Sequence, residues 1–219
     1  SSFILMPYFS DLFTKNQDNK VIDGYLEIRS INTSLILPIF SIILIYSKQI
    51  LSLISQEYID YNLILIIICI GTIFPVILGP NGTVILMTNS FKKEINSGLI
   101  LISTFLLLSF SFGSVNILII PIAFALAEIF ASFYKAYIVK NIFKFSVNYK
   151  FYLKILIAFS LNFVLFYSIS DLSSKTIFYS LVSINLIVSI IFNILILSQM
   201  KNIKKYKKII YDFSSSLKL

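Results

Sequence analysis

Histidine and tryptophan are absent from the 219 residues, and there is a single cysteine. Without histidine the chain cannot assemble His-ligated zinc, a Ser-His-Asp triad or a histidine proton relay. Cys69 has no second thiol to pair with and sits in the apolar run Ile66 to Ile70, where it reads as a small packing residue. Charge is sparse as well: 13% of residues are Asp, Glu, Lys or Arg, against about 25% in an ordinary soluble domain. No glycine-rich phosphate loop, metal-ligand cluster or nucleophile elbow occurs, and Gly82 and Gly98 stand too isolated to form a nucleotide motif.

What the chain does have is apolar length. Hydrophobic residues make up 58% of it and the mean hydropathy is +0.91. A soluble fold of this size could not cover so much apolar surface, whereas lipid can. A bilayer core takes about 20 apolar residues as helix. Six stretches meet that length: Ile31 to Ile54, Asn62 to Thr88, Ile95 to Phe112, Asn116 to Val139, Leu153 to Ser170 and Thr176 to Ser198. The runs are continuously apolar and lack the alternation of a membrane barrel, so helix is the expected state. Ser1 to Ser10 reads as the end of a further helix. With no initiator Met and no signal-peptide pattern, the chain is expected to be part of a longer protein. Asp11 to Ser30 is polar with a weak repeat at Ile22, Tyr25, Leu26 and Arg29, and is expected along the membrane interface. The expectation is therefore an all-α polytopic bundle, one transmembrane lobe over 1–219, ending in a basic cytoplasmic tail at 199–219.

The net charge of +8 could suggest nucleic acid, but the lysines fall between apolar blocks and in the tail, which is a membrane pattern. Taking alternate connections as one side, sixteen of the eighteen basic residues fall together and only Lys48 and Lys175 fall opposite. The positive side is the cytoplasm, and an odd number of spans would scramble the split. Five lysines in Lys201 to Lys208 serve as a topology anchor beside an anionic leaflet. The triplets Asn32-Thr33-Ser34 and Asn81-Gly82-Thr83 fall near cytoplasmic ends and read as chance matches to a glycosylation acceptor.

Glu128 is the one carboxylate deep in a span. Pro121, Ala125, Glu128, Ser132 and Lys135 recur at helical spacing on one face. Charge at that depth is costly and tends to face a bundle interior, so this face is expected to line a cavity. There Glu128 binds a cation or proton, or touches a polar substrate; the alternative is a structural contact, such as Glu128 reaching Lys135. Gly79-Pro80-Asn81-Gly82-Thr83 interrupts the second span, with Pro75 a turn earlier. Gly71, Pro75 and Gly79 form a small-residue face for close packing. The break is a packing kink or a hinge, with Asn81, Thr83 and Thr88 as polar contacts and Pro38, Pro75, Gly79, Pro80 and Gly82 as helix-breaking positions. Asn162 and Asn185 read as interhelical hydrogen-bond partners.

From Lys48 to Asn96 the chain resembles the second lobe of bacterial polysaccharide flippases, the Wzx-type O-antigen and capsule transporters of the MOP superfamily. The features are an Ile-Leu pair followed by Gln56-Glu57-Tyr58, a span with Gly79-Pro80 near its cytoplasmic end, Leu86-Met87-Thr88 and a short basic loop. Met6 to Phe13, Leu37-Pro38-Ile39 and Ile119-Ile120-Pro121-Ile122 fit the same pattern. The resemblance implies a two-lobed carrier in the bacterial cytoplasmic membrane, working by alternating access, with a missing N-terminal lobe as partner. Its substrate would be an oligosaccharide on undecaprenyl pyrophosphate, with membrane lipids around it and no cofactor. The family often meets the pyrophosphate with cavity Arg or Lys. Here no arginine falls in any of the six spans, and Lys48 and Lys135 sit near span ends, which leaves the missing lobe to supply that charge. A MATE-like cation-coupled multidrug antiporter of the same superfamily, with Glu128 as coupling site, is the alternative. A glycan polymerase or ligase is disfavoured, since the outer connections near Ser55 to Tyr61, Gly113 to Val115 and Asp171 to Lys175 are too short to carry catalytic groups.

Overall fold

Helix is the only regular structure among the described residues, as continuous apolar runs demand in lipid. The computed structural model describes residues 10, 13–15, 18–88, 90–112, 117–144, 149–168 and 175–197. Its long elements are α1 (Asp18–Ser52), α2 (Asn62–Leu78), the short α3 (Asn81–Met87), α4 (Phe91–Phe112), α5 (Ile119–Phe143), α6 (Tyr149–Tyr167) and α7 (Lys175–Leu197), with a 3₁₀ turn, Gln56–Tyr61, leading into α2. Five segments among the described residues are long and apolar enough to cross a membrane: Asn19–Ser52, Gln56–Leu78, Phe91–Phe112, Ile119–Phe143 and Lys150–Tyr167. The chain thus has the build of a multi-pass membrane protein. In α7 the described apolar stretch is shorter, Val182–Ile194. The further helix expected over Ser1 to Ser10 lies outside the described residues apart from Ser10, as does the expected basic tail.

The helices pack in a row. The outermost, α4, packs on α5, α5 on α2, α2 on α1, and α1 on both α6 and α7, while α3 is held between α4 and α5. Where α2 and α5 cross, the backbones nearly touch: a methyl group on Gly71 would sit 2.5 Å from the Ala125 α-carbon. The expected small-residue face is real at that position, and Ala125 of the α5 stripe spends itself on this packing contact.

Two expectations fail on α1. The polar stretch before Ile31 does not lie along an interface as a separate element. From Asp18 it is the first part of one 35-residue helix, about 50 Å long at 1.5 Å per residue. Val21 and Tyr25 are buried in a cluster with Val84 and Ile85 of α3 and Ile138 and Val139 of α5. No proline interrupts 18–37, and the apolar repeat finds protein, not lipid headgroups, to cover it. Consequently Arg29 lies inside a membrane-length helix, against the expectation that no arginine would.

Pro38 does not break α1 either. The one non-helical position in that helix is Tyr46 (φ −108°, ψ 21°). Pro38 cannot donate to the carbonyl of Ser34, and that freed oxygen accepts from Asn193 Nδ2 of α7 at 3.3 Å. Asn193 Oδ1 in turn accepts from Asn162 Nδ2 of α6 at 3.2 Å. Three helices meet on one chain of hydrogen bonds, with Asn162 and Asn193 fully buried. Tyr46, at the real kink, donates its hydroxyl to the Phe166 carbonyl at 2.5 Å. That carbonyl belongs to the last turn of α6, where it has no intrahelical donor.

Candidate functional site: a polar cavity at a broken helix

Helix α2 stops at Leu78 because the next two residues cannot continue it. Gly79 adopts φ 103°, ψ 178°, a conformation open to glycine alone, and Pro80 carries no backbone donor. The chain resumes as α3 at Asn81. Pro75, by contrast, stays inside α2.

The break is pinned by Tyr25 of α1. Its hydroxyl lies 2.6 Å from the Leu78 carbonyl and 2.8 Å from Asn81 Oδ1, so one proton is shared between two acceptors. Asn81 Nδ2 reaches the same carbonyl at 3.4 Å. Gly79 also makes room for Tyr25, whose ring and hydroxyl would lie 2.9–3.0 Å from any β-carbon there. Beside the pinned break lies a cavity of about 340 Å³ between α1, the α2–α3 break, α4 and α5.

Most of the residues singled out by sequence meet in that space. Glu128, Ser132 and Lys135 of the α5 stripe line it, together with Asn81 and Thr83 of α3 and with Pro75, Gly79, Pro80 and Gly82. Two do not. Thr88 bonds its hydroxyl to the Ile85 carbonyl at 2.9 Å and closes the C-terminus of α3 instead. Pro38 is buried within α1 and does not line the cavity. Pro121 and Ala125, at the other end of the stripe, are buried, Ala125 against Gly71.

Of the two readings of Glu128, the structural contact with Lys135 is the one not made. Lys135 does not turn to Glu128, seven residues back on its own helix; its ammonium meets Glu94 Oε1 of α4 at 2.5 Å. Gly82 allows this, since a β-carbon there would come within 3.2 Å of Glu94 Oε1. Glu128 forms no ion pair among the described residues. The cavity wall therefore carries one neutralised pair and one carboxylate without a counter-ion, surrounded by the hydroxyl and amide groups of Ser132, Thr83, Asn81 and Asn32.

Sequence reasoning missed Tyr25, Glu94, Arg29 and Asn193. Glu94 sits beside Lys92 and Lys93 and reads as a loop charge; only its helical continuity with α4 turns it inward. Asn162 does bond across helices, to Asn193, a residue the sequence did not single out. The two asparagine triplets end up within helices, with Thr33 and Asn81 buried, so neither can accept a glycan.

Compared with models of known families, with curated proteins and with solved structures, the chain matches none.

Proposed function

We propose that the chain is a transport lobe that moves lipid-linked oligosaccharide repeat units across the bacterial cytoplasmic membrane by alternating access. The observation that carries this reading is the polar cavity at the Gly79–Pro80 break, set inside a bundle of membrane-length helices. A sugar chain entering hydrocarbon loses its water hydrogen bonds, at a few kcal/mol for each unpaired group. Hydroxyl and amide groups along a wet path lower that barrier, and irregular backbone at membrane depth belongs where it lines such a path. The lipid tail of the substrate stays in the bilayer. The local resemblance between Lys48 and Asn96 and the Wzx-type flippases supports the same substrate class. In this reading α7 is the sixth crossing, the lysine-rich connections and C-terminus face the cytoplasm, and no bond is made or broken.

The test is genetic and chemical. Cells lacking the gene should lose surface polysaccharide and accumulate lipid-linked repeat units on the cytoplasmic leaflet. Unchanged surface polysaccharide with no such accumulation would reject the proposal.

The unpaired Glu128 carboxylate favours a second reading, a cation-coupled antiporter. With Lys135 neutralised by Glu94, the cavity's uncompensated charge is negative and suits a cation. Glu128→Gln should then abolish ion-coupled drug efflux, and normal efflux in that variant would discard this version.

A further inference from the structure

Arg29 is 4% exposed. Its Nε and Nη2 are closed to solvent and have no hydrogen-bond partner among the described residues. These two nitrogens form one edge of the guanidinium, the edge that receives two oxygens of a carboxylate or phosphate side by side. The flat face is already occupied. The Phe151 ring centroid of α6 lies 4.1 Å from the guanidinium carbon, with Tyr25 and Tyr152 at 5.9 Å. Aromatic faces hold the group in place but leave the donors of that edge free. No carboxylate among the described residues meets either nitrogen. The acidic neighbours on α1, Asp23 and Glu27, stand six and two residues away, off its face of the helix. A buried cation with an idle bidentate edge is a costly arrangement unless an anion completes it.

We propose that the Nε–Nη2 edge of Arg29 is an oxyanion site, taking a phosphate group at the junction of α1 and α6. Lys150 and Lys154, exposed on the first turns of α6, add positive potential around that junction. Arg29 does not line the cavity, and the site is independent of the transport reading: it holds its phosphate whatever passes through the bundle. The same chemistry can come from an anionic phospholipid headgroup or from a free phosphate or pyrophosphate.

The experiment compares the whole chain with Arg29→Met and Arg29→Lys in nanodiscs of phosphatidylcholine. Melting temperature is read after adding phosphatidylglycerol to the bilayer in one arm, and inorganic phosphate or pyrophosphate to the buffer in the other. The wild type should melt higher in at least one arm, and that arm names the source. Arg29→Met should lose the rise, while Arg29→Lys, which keeps a charge but not the fork, keeps part of it. Native mass spectrometry of the wild type alone covers the case of a variant that does not fold. It should retain one phosphatidylglycerol, or one phosphate or pyrophosphate, about tenfold or more over phosphatidylcholine, as a charge-assisted bidentate contact implies. Equal rises in wild type and Arg29→Met overturn the proposal, as does a wild type that neither melts higher nor retains a phosphate species selectively. Lys150→Gln with Lys154→Gln should lower the overall anion preference yet leave intact the effect of adding Arg29→Met; loss of that effect would assign the binding to the surface lysines and overturn the site.

Discussion

Prolines 38 and 80 create the same problem in two places and the bundle answers them differently. Each removes a backbone donor inside an apolar helix and leaves a carbonyl without its partner. At Pro38 the freed Ser34 oxygen is taken by Asn193 from a neighbouring helix, and α1 runs on with helical backbone angles. At Pro80 no donor from another helix among the described residues reaches the freed Val76 oxygen, which takes the Gly79 N–H at 3.2 Å instead; Gly79 turns to positive φ, the helix ends, and a tyrosine from α1 bonds the Leu78 carbonyl and Asn81 Oδ1. One site closes into a buried Asn–Asn–carbonyl chain; the other borders a cavity of about 340 Å³. A proline alone therefore does not break a membrane helix. What decides is whether a donor from another helix arrives at the freed carbonyl and whether the residue before the proline can leave helical space.

The contrast is broken most severely at Gly79. Gly79→Ala places a side chain in a glycine-only conformation and against the Tyr25 ring, and should cost about 2 kcal/mol of stability in detergent unfolding. A variant as stable as wild type would mean the break is not held as described. Tyr25→Phe keeps the ring but removes the shared hydroxyl, leaving Leu78 and Asn81 with poorer partners. The expected loss is about 1 kcal/mol, accompanied by faster maleimide labelling of an Asn81→Cys reporter in a Cys69→Ala background. Asn193→Leu should be milder, about 0.6 kcal/mol, the usual worth of an interhelical hydrogen bond in a membrane protein. The finest test is the pair Pro38→Ala with Asn193→Leu. Alanine restores a backbone donor to Ser34, so the asparagine becomes partly redundant and its loss should shrink by about 0.3 kcal/mol in a double-mutant cycle. Full additivity would show that the asparagine is not there for the proline.

Much of the architecture was readable without coordinates. Apolar run lengths located α4, α5 and α6 to within a few residues and the cores of α1 and α2, because lipid leaves the backbone no alternative to helix. Helical spacing placed Glu128, Ser132 and Lys135 on one face, and Gly79–Pro80 announced the break. The boundary of α1 was misread, since nothing local distinguishes a polar helix lying on a membrane from one docked on protein; Val21 and Tyr25 are buried by α3 and α5, more than fifty residues away in sequence. Thr88 was misplaced because a threonine beside a cavity-forming segment can as readily cap its own helix.

By itself, then, the sequence determined where helices form, where one of them must stop and which polar groups share a face, since these follow from local sterics and from the cost of bare backbone in hydrocarbon. Only the tertiary structure decided the partners: Glu94 for Lys135, Tyr25 for the broken end of α2, Asn193 for the carbonyl freed by Pro38, and aromatic rings around Arg29. Partner choice depends on which helices lie side by side, and that is set by summed packing across the bundle, such as the Gly71–Ala125 contact, which no single stretch of chain encodes.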